Sequence, residues 1–262
     1  MSISIGVIIP TYDRFEQTVE AVECVLNQSR PPEQVIVVDD GSPEESRQNL
    51  IQKLREYPVQ LELRSHCGHP GRVRNAGISF VETTHVAFLD SDDLWVPEKL
   101  EIQEELARSG IRAQGSGYDV GGSISQISPT IVQGAKTLTL RELLVANMLC
   151  NSSVMVESAL LREIGGLPTS YGVRGIEDYA AWLRVAAVTD WTLFMAPLVF
   201  YNDDPENSMR GTNEFSIHQG TLALLDFAAW LQDRGHRIPS AIQLAGKFGD
   251  RVLMEWAARQ RL

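Results

Sequence analysis

Three carboxylates lie within four residues at Asp90, Asp92 and Asp93, directly after the apolar run at 85–89. Like charges this close repel one another, and a cation held between them offsets that repulsion. In an extended chain Asp90 and Asp92 point to the same side, so they could share a divalent ion. Oxygen ligands favour Mg²⁺ or Mn²⁺, with phosphate oxygens filling the remaining positions. The alternative is an acidic loop whose aspartates cap the helix that follows Pro97.

A second acidic turn occurs at Asp40 and Gly41, after the valine-rich run at 34–38. An aspartate followed by glycine is an ordinary turn signal at the end of a strand. The same carboxylate could instead accept a hydrogen bond from an N–H group of a nucleobase. The local pattern leaves both interpretations open.

A glycine-rich segment at 68–78 carries two basic side chains, Arg72 and Arg74. It contains neither a Gly-x-Gly-x-x-Gly motif nor the lysine of a phosphate-binding Walker loop. Two guanidinium groups on a flexible backbone suit a pyrophosphate. The alternative is a pair of ordinary arginines on a helix surface.

Glu177 and Asp178 open a predicted helix at 177–188. The helix dipole stabilises acidic side chains at this end, which is one explanation for them. The functional alternative makes Asp178 a general base, with Glu177 and Arg184 as supports.

Alternating strand and helix patterns position these side chains. Apolar runs predict strands at 5–10, 34–40, 59–64 and 85–90, and helical patterns follow them at 15–26, 43–57, 71–82 and 97–108. Such alternation predicts a parallel sheet wrapped by helices, in which ligands bind at the carboxyl ends of the strands. Three of the four strands end in residues capable of chemistry, namely Thr11-Tyr12-Asp13, Asp39-Asp40 and Asp90 with Asp92.

The second half of the chain is less regular. Helical patterns occur near 139–147 and 158–163, short strands are predicted at 191–194 and 198–201, and a helical pattern runs from 214 to the end, broken at 234–239. The last helix has one apolar face, formed by Ile242, Ala245, Phe248, Val252 and Trp256. We expect this tail either to pack on the protein or a second subunit, or to rest on a membrane surface.

Composition excludes several classes of protein. The formal net charge is −11, which is unsuited to nucleic-acid binding. Three widely spaced cysteines fit a reducing compartment rather than a disulfide framework. No apolar run approaches the roughly 18 residues of a membrane span, and no signal-peptide pattern is present, so we expect a cytoplasmic protein.

Taken together and in order, the motifs resemble those of the inverting glycosyltransferases of family two, which belong to the nucleotide-diphospho-sugar transferase superfamily and have the GT-A fold. The matching segments are VIIPTYDR, VVDDGS, GRVRNAG, FLDSDD, NSSVMV, IGGL and GIEDYAAWLRVA. Their spacing and order agree from residue 3 to about residue 210.

The resemblance implies an α/β fold with a mixed, mostly parallel central sheet flanked by helices and followed by a C-terminal helical tail. Residues 1–93 would form the half that binds the nucleotide sugar, 94–213 the acceptor-binding half of the same domain, and 214–262 the helical extension.

It also implies roles for individual side chains. Tyr12 would stack on the base, Asp92 would bind the metal, and Asp178 would be the catalytic base. The nucleotide-sugar-binding residues would be Pro10, Thr11, Tyr12, Arg14, Asp40, Arg74, Asp90 and Ser91. Further candidates are Asp93, Glu177, Arg184 and Asp204.

Two segments depart from the family pattern. Asn202 and Asp204 stand where many relatives have an arginine and a histidine, so a basic phosphate contact is lost there. Leu167-Pro168-Thr169 replaces a common Phe-Asp-Glu on the acceptor side. Asp204 could be a further metal ligand or an acceptor contact.

The implied reaction is the Mn²⁺- or Mg²⁺-dependent transfer of a sugar from a nucleotide-diphosphate sugar, a UDP-sugar by analogy, in glycan or polysaccharide assembly. The acceptor would be a glycan or a lipid-linked glycan, which would put the protein at the inner face of the membrane. The alternatives are a catalytically silent sugar-nucleotide-binding subunit and a sugar nucleotidyltransferase. The latter expects a glycine-rich loop after the first strand, whereas residues 10–17 contain no glycine.

Overall fold

A nine-stranded mixed sheet forms the centre of the computed structural model, which describes residues 2–120, 134–202 and 216–238. The strands are β1 (Ile5–Thr11), β2 (Gln34–Asp39), β3 (Gln60–Leu63), β4 (His85–Phe88), β5 (Leu94–Trp95), β6 (Ala113–Val120), β7 (Ala135–Leu138), β8 (Met155–Glu157) and β9 (Trp191–Tyr201). Their order is β3-β2-β1-β4-β8-β6-β9-β5, and β7 pairs with β9.

The first four strands form the parallel part of the sheet. They are connected by α1 (Phe15–Leu26), α2 (Glu44–Leu54) and α3 (Pro70–Ile78). Helices cover both faces of a parallel sheet, which explains the continuous apolar runs of β1 and β2. The four strands and three connecting helices predicted from the sequence are confirmed.

The second half of the sheet is largely antiparallel. β8 runs antiparallel to β4, and β6 lies between β8 and β9. The helices of this half are α4 (Lys99–Arg108), α5 (Leu140–Leu143), α6 (Ser158–Ile164), α7 (Glu177–Ala186) and α8 (Ser216–Asp233). Because β8 is antiparallel to β4, the residues that precede β8 meet the residues that follow β4.

The prediction of two short strands at 191–194 and 198–201 is wrong, because the structure has the single strand β9. β9 pairs with β6 along its length, and the register shifts on both sides of Gly117. A Cβ at Gly117 would lie 2.8 Å from the carbonyl oxygen of Met195, so the bulge needs glycine there. The same irregularity accommodates Pro197, which has no N–H group for the ladder.

Helix α8 packs against α7 through buried side chains that include Ala223, Phe227 and Trp230. Arg184 of α7 donates from Nη2 to Asp226 Oδ1 of α8 at 2.5 Å. Within the described ranges, no helix combines the length and apolarity needed to cross a bilayer. The predicted final helix and its apolar face lie outside the described residues.

Candidate active site

A cavity of about 660 Å³ opens at the carboxyl ends of β1, β2 and β4. The predicted residues that line it are Pro10, Thr11, Tyr12, Arg14, Asp40, Arg74, Asp90, Ser91, Asp92, Asp93, Glu177 and Asp178. Arg184, which the sequence suggested as a support for Asp178, lies instead at the contact between α7 and α8. There it pairs with Asp226. Asp204 is outside the described residues.

The acidic segment after β4 is a turn and not the extended chain assumed from the sequence. The amide of Asp93 donates to the carbonyl of Asp90 at 3.0 Å, which closes the turn. Residues before β8 hold it from the other side. Asn151 Nδ2 donates to Asp90 Oδ1 at 2.9 Å, and the Ser152 hydroxyl accepts from the Asp90 amide at 3.0 Å and donates to Asp93.

The capping role considered for these aspartates is wrong in the described structure. Helix α4 begins at Lys99, with Glu98 before it, and no side-chain cap is formed there. Asp92 instead pairs with Arg14, and Asp90 Oδ1 accepts from Arg74 Nη2 at 2.6 Å. The negative charge of the turn is therefore balanced by two arginines from elsewhere in the chain.

Arg74 is buried, so the helix-surface interpretation is wrong for this residue. Its second terminal nitrogen, Nη1, donates to Glu177 Oε1 at 2.6 Å, so one guanidinium joins the turn to the start of α7. Burial by itself lowers the pKa of Arg74, but the carboxylates of Asp90 and Glu177 raise it above its ordinary value. Arg74 is accordingly a permanent cation between two carboxylates.

Asp178 lies next to this network at the start of α7. Burial and then the charge of Glu177 raise the pKa of Asp178, Arg74 opposes them, and the net result is a pKa of about 6. Its Oδ1 accepts from the Tyr179 amide at 2.7 Å. Glu177 is 2% exposed, and its Oε2 accepts from the Gly175 amide at 2.7 Å. A carboxylate with a pKa in this range is a stronger base than an exposed aspartate.

The residues around Asp92 fit a divalent cation held together with a phosphate group. Burial raises the pKa of Asp92, as does the charge of Asp90, and a cation at this position would relieve both effects. Among the residues that the structure describes, no cluster of three His, Cys, Asp or Glu side chains could hold a metal alone. Oxygen atoms of a bound ligand would have to complete the coordination of Asp92.

Tyr12, Asp40 and His66 also line the cavity. Tyr12 is 44% exposed, and its ring centroid lies 4.2 Å from that of His66. Both interpretations of Asp40 remain compatible with the structure. Gly41 has φ +75°, a conformation that favours glycine, and each Asp40 oxygen accepts one amide hydrogen bond, from Cys67 at 3.0 Å and Gly68 at 2.8 Å. A carboxylate oxygen with one such bond keeps a lone pair for a ligand.

The model of the family described as "Glycosyl transferase family 2" matches residues 6–164, more than half of the chain. The chain belongs to glycosyl transferase family 2.

Similar proteins that are named glycosyltransferases agree with this assignment. The putative teichuronic acid biosynthesis glycosyltransferase TuaG of Bacillus subtilis is 29% identical over 184 residues, which cover 69% of this chain and 71% of the relative. WfgD of Escherichia coli, named a UDP-Glc:alpha-D-GlcNAc-diphosphoundecaprenol beta-1,3-glucosyltransferase, is 25% identical over 69% of each protein. An uncharacterized glycosyltransferase of Rickettsia bellii is 38% identical over 99 residues, and the match spans only 14% of its length.

Solved structures confirm the GT-A fold that the motifs implied. Residues 1–349 of S. aureus TarS in complex with UDP-GlcNAc superpose with a TM-score of 0.71 at 18% identity, covering 98% of this chain and 72% of that fragment. The mannosyltransferase PcManGT from Pyrobaculum calidifontis, in complex with GDP-Man and Mn²⁺, gives 0.65 at 17% identity, covering 99% and 74%.

Four residues of this family 2 site were not selected from the sequence: His66, Asn151, Ser152 and Arg174. His66 follows β3, so the rule that placed ligands at carboxyl strand ends could have found it. The matching segment NSSVMV contains Asn151 and Ser152, but their contacts with the acidic turn follow only from β8 running antiparallel to β4. No local signal distinguishes Arg174 from a surface arginine.

Proposed function

We propose that the protein is a metal-dependent inverting glycosyltransferase that moves a sugar from a nucleotide-diphosphate sugar to an acceptor hydroxyl. One observation carries the proposal, namely that Arg74 joins the acidic turn at Asp90 to Glu177, the neighbour of Asp178, inside one cavity. A donor site and a general base thereby share a rigid connection.

Asp178 is the general base in this proposal. As the acceptor oxygen attacks the anomeric carbon, its proton passes to the Asp178 carboxylate. The raised pKa of about 6 brings this carboxylate closer to neutral pH, where a base is most effective. A single displacement from the face opposite the leaving group inverts the anomeric configuration.

Asp92 would hold the cation, Mn²⁺ or Mg²⁺. When bound, the ion would offset the negative charge that builds up on the departing diphosphate. The Mn²⁺ present with GDP-Man in the PcManGT structure supports this assignment. Asp90, Asn151 and Ser152 position the turn that carries Asp92.

The donor would be a UDP-sugar, with the base stacked on Tyr12 and hydrogen-bonded to Asp40. UDP-GlcNAc in TarS and GDP-Man in PcManGT support a nucleotide sugar, and they leave the choice of base to experiment. The names of TuaG and WfgD support a glycan or lipid-linked glycan acceptor in polysaccharide assembly. A lipid-linked acceptor would bring the protein to the inner face of the membrane.

A panel of UDP-, GDP- and dTDP-sugars, assayed for nucleotide release with Mn²⁺, with Mg²⁺ and with EDTA, tests this function. We expect release from one donor class, lost in EDTA and restored by Mn²⁺. Asp92→Asn should lose most of the metal-dependent turnover, while Asp190→Asn, which changes an exposed acid just before β9, should retain it. Donor binding without turnover on any acceptor would favour a silent binding subunit, and a product of retained configuration would exclude single displacement.

A further inference from the structure

Acidic side chains outnumber arginines in the lining of the cavity. Seven carboxylates line it, from Asp13, Asp40, Asp90, Asp92, Asp93, Glu177 and Asp178, against three arginines. Arg14 pairs with Asp92, and Arg74 pairs with both Asp90 and Glu177. The third arginine, Arg174, has no carboxylate partner within the described part of the chain.

Arg174 lines the cavity from the segment that precedes the general base. A Cβ built on Gly68, which has φ +60°, would lie 3.3 Å from Arg174 Nη2 and 3.4 Å from His66 Nε2. The guanidinium therefore lies over the Gly68 backbone and beside His66. Tyr12, Asp40 and Asp92 line the same cavity.

The backbone of Arg174 is held on both sides. It follows a 3₁₀ turn, Tyr171–Val173, whose Val173 is fully buried. It precedes Gly175, at φ +82°, whose amide donates to Glu177 Oε2 at 2.7 Å. The peptide between Arg174 and Gly175 therefore connects Arg174 to Glu177, the residue next to Asp178.

A nucleoside diphosphate brings several negative charges into a cavity where the other two arginines already have carboxylate partners. Asn202, which also lines the cavity, supplies no positive charge. A guanidinium matches phosphate oxygens in a two-pronged hydrogen bond and keeps its charge at every relevant pH. Among the arginines that line the cavity in the described part of the chain, Arg174 is thus the one whose charge is available to a phosphate group.

We propose that Arg174 binds the phosphate groups of the nucleotide donor and, through Gly175 and Glu177, orients the segment that carries Asp178. This inference rests on the proposed function, because it assumes a donor with a diphosphate. Occupation of the donor site would then help to place the general base before the acceptor reacts.

The test compares Arg174→Gln with the matched control Arg72→Gln. Arg72 is an exposed arginine whose guanidinium lies 5.2 Å from the Tyr171 ring and which does not line the cavity. UDP, GDP and dTDP are first compared to find the nucleoside diphosphate that the wild-type protein binds. Calorimetry in the presence of Mn²⁺ then measures the affinity of each variant for that diphosphate and for its parent nucleoside. We expect Arg174→Gln to weaken the diphosphate about 10-fold or more, as for loss of a charged hydrogen bond, and the nucleoside less than about 2-fold.

Arg72→Gln should leave both affinities unchanged. Arg174→Lys, which keeps the charge but loses the planar fork, should give an intermediate loss and guards against a folding defect in Arg174→Gln. The donor KM should rise in Arg174→Gln while the acceptor KM stays constant.

Unchanged affinity for the diphosphate in Arg174→Gln would overturn the inference. So would equal losses for diphosphate and nucleoside, or a rise confined to the acceptor KM. If the wild-type protein binds none of the three diphosphates, the proposed function fails with it, whereas wild-type binding that survives Arg174→Gln refutes this inference alone.

Discussion

Two arginines hold the acidic turn after β4, and they differ in how far water reaches them. At the inner end of the cavity, formed by Arg74 and Glu177, the two side chains are 7% and 3% exposed, while Asp90, the other partner of Arg74, is 29% exposed. At the outer end, formed by Arg14 and Asp92, the exposed fractions are 25% and 20%. The same chemical pairing therefore occurs in two environments of different polarity.

This difference separates a structural contact from an exchangeable one. Removing one partner of a buried ion pair leaves an unpaired charge in a poorly solvated place and costs about 3–5 kcal/mol. A pair that water reaches contributes only about 0–1 kcal/mol. We infer that the inner end keeps the site in shape, whereas Asp92 at the outer end can exchange Arg14 for a cation.

The largest effect is expected at the inner end. Arg74→Gln should lower the free energy of unfolding by about 3–5 kcal/mol, because it leaves the Asp90 and Glu177 carboxylates without their cation. Denaturant unfolding followed by circular dichroism would measure the loss. A change below 1 kcal/mol would mean that the inner end is as exchangeable as the outer one.

Asp178→Asn should reduce turnover by about two orders of magnitude or more while changing donor affinity little, because the amide cannot accept the proton. Steady-state kinetics and calorimetry with the donor would separate the two quantities. Asp190→Asn is the matched control. A parallel collapse of donor affinity would identify Asp178 as a binding residue.

The pH dependence of kcat/KM should report the raised pKa of Asp178. The base must be ionised, so activity is present above the folded-state pKa of about 6 and falls as the pH drops through it, by about tenfold per unit. An aspartate with an ordinary pKa of 3.8 would place this limb near that pH. If kcat/KM instead falls only near pH 4, burial does not raise the pKa of Asp178 in the free enzyme.

At the nucleotide side, Tyr12→Ala should weaken nucleotide binding by about 1–3 kcal/mol, the range for a base stacked on an aromatic ring. Tyr12→Phe, which keeps the ring, is the control and should bind nearly as well as wild type. Loss of thermal stability without selective loss of nucleotide affinity would indicate that Tyr12 only packs against His66.

The smallest effect is expected at the outer end. Arg14→Gln should change the free energy of unfolding by less than about 1 kcal/mol, since its pair with Asp92 is partly exposed. The comparison with Arg74→Gln under the same conditions tests the distinction directly. Equal losses in the two variants would contradict it.

The parallel half of the fold could be predicted closely from the sequence. Strands buried on both faces need continuous apolar runs, and the intervening helices repeat their apolar residues every three or four positions, so both patterns are local. The rule that parallel strands present their carboxyl ends at one edge then brought Tyr12, Asp40 and Asp90 together. The roles given to these side chains remain predictions.

Contacts between distant parts of the chain could not be predicted in this way. Arg74 and Glu177 are 103 residues apart, and Asn151 and Asp90 are 61 apart, so their meeting depends on the antiparallel entry of β8 and the path of α7. The burial of Arg74 also depends on these distant contacts, so the pattern of its own helix indicated a surface residue. Arg184, predicted to support Asp178, pairs instead with Asp226 of α8, a contact that also depends on the tertiary structure.

The sequence by itself determined which residue types stand at the ends of the strands, because apolar periodicity and strand direction are local properties of the chain. Only the tertiary structure decided which of those charges are paired, buried or accessible. Burial, the distance between charges and therefore the pKa of Asp178 depend on neighbours brought together by folding. This is why the sequence could nominate Asp178 as a base, while the structure was needed to give a physical reason for its basicity.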